Sequence, residues 1–258
     1  MKLYQTLLFF MTFALLPMNT NAQQEDNAAQ IDLSEVILVA GATGRTGQFV
    51  VGQLQELGYT SIRGIARNRD KAIEDHGNDI EWVEADVRDP ATLKAAFAGV
   101  DKAISTIGAS RAPDNLPEFV DYGGVKNMVD AAQENGLKNF ILMSSSGVTD
   151  EDNELNRLFH NMAIWKLKGE DYLRDSGLTY SVVRPGGLDR LNSKGEYGIY
   201  LTQGDRQSGG QISRQDVAAV LIECLTNPDA VDKTFEVFNF LARFPESWRN
   251  DFGLLKTD

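Results

Sequence analysis

The stretch that most constrains this 258-residue chain lies near its start. There the short apolar run Glu35-Val36-Ile37-Leu38-Val39-Ala40 passes directly into Gly41-Ala42-Thr43-Gly44-Arg45-Thr46-Gly47. Phe49, Val50, Leu54 and Leu57 then recur at helical spacing, and Gly58 stops the helix. A short apolar run closed by glycine reads as a buried parallel strand. Strand, glycine turn and helix in that order point to an α/β chain with crossover connections. The same unit carries chemistry. Glycine allows positive φ and a close backbone approach to a pyrophosphate, while a helix N-terminus offers unpaired N–H groups and a favourable dipole to phosphates. Gly41, Thr43, Gly44, Arg45, Thr46 and Gly47 are therefore the candidate phosphate cradle. The spacing is G-x-x-G-x-x-G, which departs from the G-x-G-x-x-G dinucleotide fingerprint. Tight turns also collect glycines, so it is the position between strand and helix that favours a cofactor site.

The alternation continues. Further strands are expected at Ser61–Ala66, Ile80–Glu84, Lys102–Thr106, Asn139–Met143 and Thr179–Arg184, with helices around Asp70–Asp75, Pro90–Phe97, Glu118–Glu134 and Glu154–Arg174. Gln215–Thr226 adds a helix and Thr234–Phe238 a late strand. This pattern predicts a single-domain α/β fold over 34–258, a doubly wound, mostly parallel Rossmann sheet with right-handed crossovers.

The end of the second strand bears on the choice of dinucleotide. An NAD site places an acid about 20 residues beyond the glycines to bond the ribose 2′-OH. Here the chain reads Ile65-Ala66-Arg67-Asn68-Arg69, with no acid before Asp70. Arg67, with Arg69 beside it, is a candidate to hold a 2′-phosphate through charge-assisted bonds; solvated surface arginines are the alternative. The expectation is NADP, with NAD still open. Asp86 and Val87, after the third strand, are candidates for the adenine edge, or for a plain strand-ending turn.

Composition excludes several classes. With 42% hydrophobic and 24% charged residues the chain is neither disordered nor a multi-span membrane protein. A formal charge of −12 repels nucleic acid and anionic membranes. One cysteine, Cys224, and two histidines, His76 and His160, are too few for a Cys-rich or His-dominated metal centre. The expected partner is a small-molecule substrate, with no nucleic acid and no integral membrane domain. Met1–Ala22 has a positive start, a short apolar run and a small-residue end, the layout of a secretory signal, and an uncleaved anchor is the alternative. Residues 23–33 read as a flexible lead-in. The expectation is export to the periplasm or outside the cell, which sits awkwardly with an intracellular cofactor.

The motifs VAGATGRTGQFVV, IARNRDKA, EADVRDPATL, GVDKAISTIGA, VDYGGVKNMVDAAQENGLKNFILMSSSGV, KLKGEDYLRDSGLTYSVVRPGGL and ISRQDVAAVLIECL follow one another along the chain. In these, from Val36 to about Asn239, the sequence resembles the atypical short-chain dehydrogenases/reductases of the NAD(P)-binding, NmrA-like type. The resemblance implies a Rossmann fold that binds NADP(H) or NAD(H). It implies that Ile107, Gly108 and Ala109 border the cofactor, and that the loop after Arg184-Pro185-Gly186 closes over the nicotinamide, with Pro185 at its base. Substrate would lie between the strand ends and a variable segment at about 188–212.

Typical members of the wider superfamily use a Tyr-x-x-x-Lys pair on one helical face. The lysine bonds the nicotinamide ribose and depresses the tyrosine pKa for proton exchange with the substrate. Lys166 matches that lysine and stands as both a catalytic and a cofactor-binding candidate, but four residues earlier the chain has Met162, which cannot donate a proton. Ser144, Ser145 and Ser146 end the fifth strand, where ligands bind in such folds. Ser145 is the candidate to polarise a carbonyl, against a plain capping role. His160 lies about 200° around a helix from Met162. Tyr172 and Tyr122 read as structural, Trp165, Phe159 and Trp248 as core, and Arg184 as either a buried ion-pair former or surface packing. Two functions stay open: an NADP-dependent reductase acting on a substrate that stabilises its own charge, such as a conjugated electron acceptor, or a non-catalytic NAD(P)-binding redox sensor or assembly factor. A sugar-nucleotide epimerase is a weaker third, since it too needs the tyrosine.

Overall fold

The structure, a computed structural model, describes residues 32–110, 112–188, 197–205, 210–241 and 247–258. The leader at 1–22, most of the lead-in, and much of the segment at 188–212 lie outside the described residues. The chain alternates β1 (Ile37–Ala40), α1 (Arg45–Glu56), β2 (Ile62–Ala66), α2 (Arg69–His76), β3 (Glu81–Glu84), α3 (Pro90–Phe97) and β4 (Lys102–Ser105). A π-helical turn, Glu118–Tyr122, leads into α4 (Gly123–Glu134), followed by β5 (Asn139–Met143), α5 (Glu154–Leu158), α6 (Met162–Arg174) and β6 (Tyr180–Pro185). Short strands β7 (Gly187–Leu188) and β9 (Gln211–Ile212) pair with each other on either side of β8 (Gly198–Thr202), and α7 (Arg214–Glu223) and β10 (Lys233–Phe240) close the domain.

The strands form one sheet in the order β3-β2-β1-β4-β5-β6-β10-β8, parallel except for the β10–β8 pair. This is a single Rossmann-type α/β domain. Alternation along β1 builds both faces. Ile37 and Val39 face Val50 and Leu54 of α1 and Val217 and Leu221 of α7. Leu38 and Ala40 face Leu93 and Phe97 of α3, Met128 and Val129 of α4 and Leu173 of α6. Each of the larger side chains, fully buried, contributes roughly 1.5–3 kcal/mol relative to exposure. Because β2 and β3 lie on one side of β1 and β4 on the other, the order reverses beside β1 and opens a crevice at the strands' carboxyl ends.

Three expectations change. The helix expected over Glu154–Arg174 is two, broken where His160 and Asn161 take left-handed φ of 55° and 60°. Asparagine tolerates that region through local bonding of its short polar side chain. The helix expected over Glu118–Glu134 begins as a π turn. Lastly, β8 was expected only as part of a variable segment; it is a one-faced strand, Ile199 and Leu201 buried and Tyr200 exposed, antiparallel to β10.

Candidate functional site

The glycine loop sits at the carboxyl end of β1. Gly41 has φ +84°, and a Cβ there would lie 2.8 Å from Thr106 Oγ1. The turn closes with the Gly44 N–H donating to the Gly41 carbonyl at 2.8 Å. Gly47 lets α1 rest on the loop itself: a Cβ would fall 2.1 Å from the Gly41 oxygen. Gly44 caps α1 with extended backbone and no side-chain hydrogen bond, leaving the first-turn amides for an external acceptor. Gln48 Nε2 donates to the Thr43 carbonyl at 3.0 Å and holds the loop in shape. Thr43, Gly44 and Arg45 are exposed, while Thr46 and Gly47 are buried beneath them. A cradle that a Cβ would fill, at an uncapped helix N-terminus, fits the pyrophosphate of a dinucleotide.

Gly41, Thr43, Gly44, Arg67, Asp86, Val87, Ile107 and Gly108 come together along one cleft of about 320 Å³ at the ends of β1 to β4. Arg67 is exposed and makes no hydrogen bond or ion pair among the described residues, although its charge helps to hold the Asp86 carboxyl down. Asp86 is committed elsewhere. Arg88 Nε donates to its Oδ1 at 2.9 Å and to its Oδ2 at 3.1 Å, and Arg88 Nη2 to Oδ2 at 2.5 Å. These bonds hold the Asp86 carboxyl below the usual carboxylate range, even against its partial burial. Arg88 also donates through Nη1 to the Asp114 carbonyl, which ties the far wall of the cleft to the 86–88 turn. With its carboxylate engaged, Asp86 presents mainly backbone to the cleft.

The remaining candidates belong to α6 and to the ends of β5 and β6. Lys166 is ion-paired: its Nζ donates to Asp121 Oδ1 at 2.8 Å, and the two side chains are 12% and 1% exposed. Asp121 belongs to the π turn, and its Oδ2 accepts from the Ala109 N–H at 3.3 Å. Met162 is the first residue of α6. Ser145 Oγ donates to the Ser146 carbonyl at 3.3 Å, and the Ser146 N–H donates to the Pro185 carbonyl at 2.9 Å. Ser144 Oγ is buried with no partner among the described residues. Ser145 and Pro185 thus lie at neighbouring strand ends, and none of Lys166, Ser145 and Pro185 lines the glycine-loop cleft.

Arg184 is buried, which removes the surface-packing alternative. Its guanidinium forks onto Glu170 through Nε at 3.1 Å and Nη2 at 2.6 Å, and Nη1 reaches Glu236 at 3.3 Å. Asp205 lies 4.0 Å from the same guanidinium and accepts from the Gly147 and Thr149 amides at 2.5 and 2.9 Å. Burial pushes the Glu236 carboxyl up, against a hydrogen bond from the Asp205 backbone and the charge of Arg184. Tyr172 packs against the core from a half-buried site, as a structural residue, and donates to Asp130 at 2.6 Å. Sequence reasoning passed over Asp121, Asp205 and Arg88. The first two find partners 45 and 58 residues away, whereas Arg88 lies two residues from Asp86 and was legible in the D-x-R spacing.

Comparison with known proteins adds to this. A family described as NAD(P)H-binding matches residues 41–228. An uncharacterized chloroplastic protein of Arabidopsis thaliana is 31% identical over 224 residues, covering 78% of this chain and 68% of that protein. Sanguinarine reductase of Eschscholzia californica is 30% identical over 242 residues, covering 78% of this chain and 88% of the reductase. Among solved structures, a Bacillus halodurans protein described as an NAD-dependent epimerase/dehydratase superposes with a TM-score of 0.74 at 26% identity, covering 86% of this chain and 100% of that one. These relatives overturn the expectation of export: that Arabidopsis protein and two further Arabidopsis relatives are chloroplastic. A positive start, a short apolar run and a small-residue end are compositional features, and composition alone discriminates poorly between destinations. Among the described residues no helix is long and apolar enough to cross a membrane.

Proposed function

The chain belongs to the NAD(P)H-binding family whose description matches residues 41–228, and from that premise we propose that it is an NADP(H)-dependent reductase. Within the family we assign it to the atypical, NmrA-like short-chain dehydrogenases/reductases, working without the usual catalytic tyrosine. The observation that carries this reading is the cradle of Gly41, Gly44 and Gly47 opening into a cleft that runs past Arg67. Arg67, exposed and unpartnered among the described residues, supports the 2′-phosphate form of the dinucleotide.

A bound nicotinamide supplies the hydride chemistry. The chain's own groups bind and orient. In a bound dinucleotide the first-turn amides of α1 would hold the pyrophosphate, the backbone of Asp86 and Val87 would border the adenine, and Lys166 would offer an N–H donor to the nicotinamide ribose. Met162 holds no proton to give, so the substrate must stabilise the charge it acquires, as quinones, flavins and other conjugated acceptors do. Ser145 is the nearest candidate to orient a carbonyl. The similarity to sanguinarine reductase supports the reductase reading.

A second reading, a dinucleotide-binding sensor without turnover, draws on Met162 and on the commitment of Lys166 to Asp121. One assay separates the two: NADPH oxidation by the purified protein with a panel of a naphthoquinone, a flavin and an azo dye. The reductase reading expects saturable oxidation with at least one. Tight NADPH binding with no oxidation by any of them would favour the sensor.

A further inference from the structure

We infer that Asp121 neutralises Lys166 at the nicotinamide end and thereby lets the site accept the oxidised as well as the reduced dinucleotide. The inference rests on the reading above, in which the nicotinamide half lies beside Lys166.

Asp121 is held from three sides. It stands in the π turn that precedes α4, its Oδ1 accepts from Lys166 of α6, and its Oδ2 accepts from the Ala109 amide in the loop after β4. Gly169 permits the close approach of α6: a Cβ there would lie 2.5 Å from the Asp121 carbonyl oxygen. The carboxylate is therefore built into the packing, and its partner Lys166 lies about one turn of α6 after Met162. Its one cation among the described residues is Lys166.

The other charges of α6 are already matched or turned away. Glu170 is paired with Arg184 and Arg174, Asp171 with Arg174, and the Lys168 ammonium lies over the Trp165 ring at 4.1 Å. The Lys166–Asp121 pair is thus locally neutral, and it is shielded from water, where charges act over longer range than at the surface.

Nicotinamide is a cation when oxidised and neutral when reduced. A neutral pair accepts both forms. Lys166 alone would repel the oxidised ring, and Asp121 alone would attract it. A group with a merely structural role would change affinity for both forms together, so the ratio of the two dissociation constants isolates the charge effect.

The experiment is calorimetric titration of NADP and NADPH into the full chain, its Asp121→Asn and Lys166→Met variants, and the double variant. Asp121→Asn should raise the NADP-to-NADPH ratio of dissociation constants about tenfold. Lys166→Met should move the ratio the opposite way, and the double variant should return it toward wild type. Ratios that stay fixed, or that move in one direction in both single variants, overturn the inference and leave the cofactor site standing. Failure of the unaltered chain to bind either form overturns the cofactor reading, and the inference falls with it.

Discussion

Replacing Gly47 with alanine tests the loop geometry severely. The new Cβ would fall 2.1 Å from the Gly41 oxygen, 2.7 Å from the Gly41 carbonyl carbon and 2.9 Å from the Ala42 Cα. All three neighbours are backbone, so no side chain can swing aside. Since carbon atoms settle at roughly 3.5–4.0 Å, α1 has to lift off the loop by about an ångström or more. Overpacking of this kind costs about 1–3 kcal/mol, more than the roughly 1 kcal/mol that alanine gains over glycine within a helix. The net loss of up to about 2 kcal/mol corresponds to a melting temperature lower by up to roughly 4–8 °C for a domain of this size. Gly52 is the control, because it lies in the same helix and a Cβ there meets nothing within 4 Å. Gly52→Ala should therefore stabilise by up to about 1 kcal/mol. Thermal and urea melts of both variants, each followed by NADPH titration, make the comparison. A Gly47→Ala protein as stable as the Gly52→Ala one, with cofactor binding intact, would refute the close-packing argument.

Glu236 offers a pH test. Burial raises its carboxyl, and a hydrogen bond from the Asp205 backbone and the charge of Arg184 oppose that without cancelling it. An acid whose folded value lies above its unfolded one binds its proton more firmly when folded, so its contribution to stability falls as pH rises from the ordinary carboxylate range through the raised value. Glu236→Gln should remove that dependence and gain stability relative to wild type in neutral buffer more than in acidic buffer, read by urea denaturation at both. A constant difference across pH would contradict it. Asp205→Ala removes a charged acceptor from two amides, each such bond contributing about 1.5–3 kcal/mol. Hydrogen exchange at Gly147 and Thr149 should accelerate about 10- to 100-fold, with β1 and β5 unchanged, and unchanged exchange at both amides would show that the loop is held by other means.

The legible parts of the molecule were those whose cause is local. The β1–glycine loop–α1 unit shows itself because apolar run, turn residues and helical period follow one another within about two dozen residues, and the other parallel strands announce themselves in the same way. Strand β8 hides because its partner, β10, lies over thirty residues on and its five residues carry only a brief alternation. The break at His160 and Asn161 is made by two non-glycine residues in left-handed backbone, which leave no compositional mark. The site divides along the same line. Gly41, Gly44 and Arg67 meet at one cleft because each follows a strand of the same sheet edge. Lys166 was identifiable from the family resemblance of its KLKGEDYL segment, but its capture by Asp121 depends on how α6 packs against the π turn, which only the folded arrangement discloses.

The central claim is that the cleft past Arg67 holds a 2′-phosphorylated nicotinamide dinucleotide, and calorimetric titration with NADPH, NADP, NADH and NAD tests it most directly, in the unaltered chain and in Arg67→Ala. Binding of NADPH tighter than NADH, with a loss of about tenfold or more confined to the phosphorylated forms in the variant, is the predicted result. Binding of none of the four, or a variant that retains the preference for NADPH, would contradict it.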